Sequence, residues 1–123
     1  MHPVGRTSNW VKAGSLRYTP LLNKKVRKVA VCGGSGSFLL HEVIRQKADV
    51  FVTSDFKYHQ FFDAENKVVI ADIGHYESEQ FTKELLSDML AEKFAIFATR
   101  FKKGEKSIPL LLTAINTNPI NYL

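Results

Sequence analysis

Three short runs rich in β-branched residues constrain this chain more than any other feature: KVAVC (Lys28–Cys32), DVFVT (Asp49–Thr53) and KVVIADI (Lys67–Ile73). Continuous apolar runs of that length, bounded by turn residues, read as buried strands. Each is followed by a small or polar turn and then by helical spacing. GGSGS leads into Ser37–Gln46, SD into a helix from about Lys57 to Ala64, and a third turn into a helix from His75 to about Lys93. Strand–helix alternation predicts an α/β fold with a mostly parallel sheet and helices packed on it. Two further runs, Ala95–Phe101 and Ile108–Ile115, read as strands, with the polar KKGEK turn between them available for an antiparallel pair at the C-terminal end. Residues 1–23 read as an irregular lead-in or linker remnant with a short strand at Leu16–Thr19, and residues 24–123 as the α/β lobe proper. On the long helix, Phe81, Leu85 and Met89 recur at i+4, with Leu86 and Leu90 beside them, and are expected to face the sheet.

A length of 123 residues suits one domain, and 45% hydrophobic content suffices for a core. No apolar run approaches the roughly 20 residues needed to span a bilayer. The first residues, MHPVGRTSNWVKAG, contain no apolar signal region, and the single Cys32 excludes an internal disulfide. A cytoplasmic protein without a membrane partner is expected. The net charge of +5 permits an anionic ligand or nucleic acid. The basic residues are dispersed, however. Their densest clusters, NKKVRK (Asn23–Lys28) and RFKKGEK (Arg100–Lys106), lack the interleaved aromatics of a single-strand binder. A solvated edge or hairpin turn accounts for both, and nucleic-acid binding stands third among the readings of function.

The chemistry collects after the strands, where open α/β sheets bind ligands. CGGSGSF places Gly34 and Ser35 where backbone N–H groups can approach an anion, although the same glycines serve a tight turn equally well. TSDFKYHQ puts a base, a cation, a phenol and an imidazole within five residues as Asp55, Lys57, Tyr58 and His59. The plainer alternative there is a helix start capped by Asp55. In DIGHYESEQF, His75 and Glu79 stand four apart and share a helical face, as a pair of metal ligands or as a surface hydrogen bond. Glu77 points about 200° away from His75 and is expected to be a surface acid of the first turn.

Taken together, GGSGS, then D-x-K-Y-H, then GHYESE, with the terminal NPI (Asn118–Ile120), resemble the Nif-three-like family, the GTP cyclohydrolase I type 2 homologues, over about Lys25–Leu123. The resemblance implies a toroidal homohexamer whose subunits have two related α/β lobes. Between the lobes lie two divalent metal ions, zinc, manganese or iron. On this resemblance His75 and Glu79 are the C-terminal lobe's metal ligands. Gly34, Ser35, Lys57 and Tyr58 would bind an anionic or nucleotide ligand, and Asp55 and His59 would move protons. The family's remaining ligands come from a His-His-Pro segment and a later segment of the N-terminal lobe. The only His-Pro here is His2-Pro3, so that lobe is the missing partner. Ser54 stands where the family shows glycine, which would cost stability if the turn needs positive φ at that residue. The resulting expectation is one lobe of a metal-dependent, hydrolase-like protein, inactive as an isolated chain. The competing reading is a non-enzymatic assembly or metal-binding partner module.

Overall fold

β-Branched residues fit a pleated, half-buried surface, and each of the three runs becomes a strand. The computed structural model describes residues 14–100 and 111–123. Its elements are β1 (Arg17–Tyr18), β2 (Val29–Ser35), a 3-10 turn (Ser37–Leu39) running into α1 (Leu40–Arg45), β3 (Val50–Ser54), a 3-10 helix (Tyr58–Ala64), β4 (Val69–Asp72), α2 (His75–Glu79) and α3 (Thr82–Arg100). The described residues divide into two compact units, one running up to Glu79 together with Ile120–Leu123, the other Gln80–Pro119.

The first unit is built on a four-stranded sheet in the order β1-β4-β3-β2. β2, β3 and β4 are parallel, with Val29 opposite Val50 and Phe51 opposite Ile70. The antiparallel pair is made by β1 against β4, Arg17 opposite Asp72, and not by the C-terminal runs. Residues 95–100 continue α3 as helix, and residues 111–115 carry no strand. The KKGEK turn lies outside the described residues.

Side chains alternate between the two sheet faces. One face holds Phe51, Thr53 and Ile70, all fully buried. Leu40 and Val43 of α1 pack on it together with Phe56, Ala64 and Val68. Phe56 sits edge-on to Phe51, with ring centroids 6.2 Å apart, and tilted against Phe61 at 5.5 Å. The other face carries Val29, Val50 and Val52, which with Leu16, Leu22 and Val26 line an apolar cavity of about 540 Å³.

The expected single helix from His75 is interrupted at Gln80–Phe81, so that α2 is only five residues long. The apolar residues expected to be covered on α3 are exposed, Leu85 at 60% and Met89 at 52%. Helical spacing identifies the apolar side of a helix. It carries no information about what covers that side.

Candidate functional site

Three loops meet at the carboxyl edge of the parallel strands, and local backbone geometry explains how. The ladder between β2 and β3 slips after Val31–Val52 and resumes at Ser35–Ser54. The extra residues on β2 throw Gly33 and Gly34 out of register, toward α2. Gly34 has φ +63°, a conformation that glycine adopts without a Cβ penalty. Its N–H donates to Ser78 Oγ at 2.8 Å, and its carbonyl accepts from Ser54 Oγ at 2.5 Å and Thr53 Oγ1 at 3.2 Å. The glycine loop is thereby tied to α2 on one side and to β3 on the other. Ser54 itself does not occupy the left-handed region. The residue that does is Asp55, at φ +61°, a residue type that tolerates it.

β4 ends at Asp72, and Gly74, at φ +92°, turns the chain into α2. That turn brings His75 beside Asp55, with His75 Nδ1 2.5 Å from Asp55 Oδ2. On the other side of the ring, His75 Nε2 lies 3.3 Å from Glu79 Oε2, as the i, i+4 spacing implies. All three side chains are about half exposed. The Asp55 hydrogen bond raises the His75 pKa above its ordinary value. Partial burial opposes this, and the charges of Asp55 and Glu79 add to it. Gly34 lies against the same pair: a Cβ built on it would fall 2.4 Å from Glu79 Oε1 and 3.2 Å from His75 Nε2.

The remaining candidates sit farther along. Ser35 is exposed at the end of β2. Lys57 is exposed at the start of the 3-10 helix, and its N–H donates to Gln60 Oε1 at 2.8 Å. Tyr58 is exposed and makes edge contacts with His59 at 5.3 Å and Phe62 at 5.5 Å between centroids. His59 therefore packs on Tyr58, whereas Asp55 packs on His75. Glu77 is not a surface acid. It is 4% exposed, and a Cβ on Gly74 would meet its Oε2 at 2.2 Å and the Tyr122 hydroxyl at 3.3 Å. Burial, and then the neighbouring Glu77, raise the Tyr122 pKa. Helical geometry sets Glu77 about 200° from His75, but Tyr122, which lies beside it, is more than 40 residues further along the sequence.

Asp72 carried no functional signal in the sequence, yet it is 3% exposed and pairs with Arg17 across the sheet. An acid at the end of an apolar run, directly before the turn that carries His75, was the one available hint.

The donor set fits a divalent ion in part. An imidazole that gives its Nδ1 proton to a carboxylate presents the Nε2 lone pair, which is the usual arrangement of a metal-ligating histidine, and a second carboxylate stands beside that nitrogen. Among the described residues, no group of three or more His, Cys, Asp or Glu side chains is placed to hold an ion. No helix among them is long and apolar enough to cross a membrane.

Residues 4–107 match the family model described as Duf34/NIF3 (NGG1p interacting factor 3). A Staphylococcus aureus (strain MSSA476) protein named GTP cyclohydrolase 1 type 2 homolog is 36% identical over 110 residues, and the Staphylococcus epidermidis (strain ATCC 12228) protein of the same name is 39% identical over 109. These matches cover 89% and 88% of this chain, which spans about 28% of the length of either relative. Among solved structures, the crystal structure of Staphylococcus aureus protein SA1388 superposes with a TM-score of 0.82 at 32% identity, over 97% of this chain and 36% of that one. A Bacillus cereus protein related to NIF3 gives 0.79 at 28% identity, over 97% and 31%.

Proposed function

The chain belongs to the Duf34/NIF3 family, and from that premise we propose that it is one lobe of a divalent-metal-dependent, hydrolase-like protein, to which it contributes His75 and Glu79 as ligands. The observation that supports this most is the Asp55–His75–Glu79 row. Asp55 holds the Nδ1 side of the ring and leaves Nε2 beside the Glu79 carboxylate. A zinc, manganese or iron ion bound there supplies Lewis acidity and a water of lowered pKa.

This chain's residues then have distinct tasks. Asp55 fixes the tautomer and orientation of His75 and is the nearest base for a proton. Gly34, having no Cβ, leaves Glu79 and His75 room to converge. Lys57, Tyr58 and His59, exposed on the turn that follows Asp55, offer a cation, a phenol and an imidazole to an anionic or nucleotide substrate. Ser35 offers a hydroxyl at the edge of the glycine loop. Two protein ligands are fewer than the three or four that zinc sites use. The rest of the site comes from a second lobe of the kind that the greater length of the relatives accommodates, in a homo-oligomer with two ions per complete site. The isolated lobe is accordingly a weak metal binder without appreciable turnover.

Titration calorimetry with Zn²⁺ and Mn²⁺ tests this. The expected result is weak binding that His75→Ala or Glu79→Ala removes. Tight binding by the isolated chain, or weak binding indifferent to both substitutions, would overturn the assignment.

A further inference from the structure

The Asp55–His75 contact joins two loops that are 20 residues apart in sequence, and neither loop is packed into the core through its functional side chain. Both side chains are about half exposed. Something else must hold the loops at hydrogen-bonding distance. The backbone on either side of the pair shows what does.

Asp55 is followed by Phe56, whose N–H donates to Asp72 Oδ2 at 3.0 Å. His75 is preceded by Gly74, whose N–H donates to Asp72 Oδ1 at 3.1 Å. One carboxylate thus takes the residue after Asp55 on one oxygen and the residue before His75 on the other. Arg17 completes the arrangement. Its guanidinium pairs with Asp72 Oδ2 and also donates to the Phe56 carbonyl at 3.0 Å. The peptide groups of Phe56 are held at both ends, N–H by Asp72 and C=O by Arg17. The Phe56 ring is buried against Phe51 and Phe61, and Arg17 lies over the Phe61 ring at 5.4 Å.

We infer that Asp72 is the positioning residue of this site, its carboxylate setting the separation and orientation of Asp55 and His75 by clamping the residues that flank them. A strand-end Asp often bonds the N–H two residues on, as Asp72 does with Gly74. That local turn accounts for neither the bond to Phe56, 16 residues back, nor the pair with Arg17, 55 residues back. A buried carboxylate is retained only where its lone pairs are satisfied. Here the satisfying donors are backbone groups of the two functional loops. An amide has one acceptor oxygen, so Asp72→Asn cannot serve both N–H groups. Whichever oxygen becomes NH₂ faces a donor and releases that loop. The inference gains its functional meaning from the reading of His75 as a ligand, but its test needs no metal.

The test is long-range ¹H–¹⁵N NMR of the His75 ring, at a pH where the ring is neutral. In the native chain the Nδ1–H form should predominate, held by Asp55. In Asp72→Asn the population should shift toward the Nε2–H form that free imidazole side chains favour. Thr19→Val is the control. It removes the 3.0 Å bond from Ile70 N–H to Thr19 Oγ1 at the same sheet edge without touching the carboxylate. That variant should lose stability and keep the native tautomer. Folded Asp72→Asn with an unchanged tautomer would overturn the inference, and so would Thr19→Val shifting the ring equally. Should Asp72→Asn fail to fold, amide exchange on the native chain decides. Phe56 and Gly74 N–H should be protected to a similar degree, and a Gly74 amide exchanging as an open loop refutes the clamp. If the tautomer result holds while calorimetry fails, the clamp stands and the metal reading falls.

Discussion

Gly34→Ala separates backbone from side-chain effects at the site. Two consequences follow from one methyl group. The first is conformational: Gly34 sits at φ +63°, where an L-residue is disfavoured by about 1–2 kcal/mol. The turn has little freedom to relax, because Gly34 is bonded through its N–H to Ser78 and through its carbonyl to Ser54 and Thr53. The second is steric: the new Cβ falls 2.4 Å from Glu79 Oε1. That oxygen ends a flexible, half-exposed side chain, so it can move aside at small cost in stability. The backbone effect therefore dominates unfolding, and the steric effect dominates placement of the Glu79 carboxylate.

The expected loss in urea denaturation is about 1–2 kcal/mol, or roughly 4–8 °C in Tm per kcal/mol. Gly33→Ala, one residue earlier, is the comparison. It has no positive φ, and its nearest neighbour would be Glu79 Cγ at 3.7 Å, so its cost should stay within about 0.5 kcal/mol. In a double-mutant cycle with Glu79→Ala, most of the Gly34→Ala loss should persist, because the backbone strain does not depend on Glu79. Equal stabilities for Gly33→Ala and Gly34→Ala would refute the reasoning. A loss that vanishes when Glu79 is removed would assign the effect to the clash instead.

The raised pKa of His75 has a definite sign: stabilisation by its charged form is fully present below about pH 6.5 and is lost as pH rises through the folded value. Metal uptake, which needs the neutral ring, should have its midpoint above pH 6.5 and move down in Asp55→Asn; a native midpoint at or below 6.5 contradicts this. Asp49 pairs with Lys24 at 2.8 Å and accepts from the N–H groups of Arg27 and Lys28 at 2.9 Å, which together hold its pKa well below the usual range. Its contribution is present above about pH 4 and lost as pH falls, so the stability difference between the native chain and Asp49→Asn should shrink on acidification. Leu85→Ala, at an exposed position, should change stability by no more than about 0.5 kcal/mol, whereas Phe51→Ala, fully buried, should cost about 3–5 kcal/mol; chemical denaturation of both variants checks the contrast.

Much of the first unit was legible in the residues. β-Branched runs mark strands even at an edge, where β2 exposes Val29 and Val31, and Gly34, Asp55 and Gly74 stand in the turns after them where the backbone takes positive φ. The His75–Glu79 pair followed from helical spacing alone. The failures have physical causes. Ala95–Phe101 reads as a strand because a short apolar run has no period long enough to distinguish helix from strand, and residues 95–100 are helical. The long-range partners were invisible: nothing local indicates that Arg17 meets Asp72, or that Tyr122 lies beside Glu77. Ser54 stands where the sequence suggests a turn with positive φ. The fold shifts that conformation to Asp55, whose side chain tolerates it, and uses the Ser54 hydroxyl to hold the glycine loop.

The strand order carries one more consequence. Among the described residues β2 is an edge, and it also exposes Val31 at 74%, which is the profile of a strand prone to recruit another. Immediately before it come Lys24, Lys25, Arg27 and Lys28, the cluster that read as a solvated edge. Lys24 is paired with Asp49, and the net positive charge of the cluster would oppose an approaching copy at the place where pairing would begin. Such protection extends only as far as the Debye length, about 10 Å at 0.1 M salt and near 3 Å at 1 M. Raising the ionic strength from about 0.1 M to about 1 M should accordingly weaken this protection, which light scattering at the two salt concentrations checks.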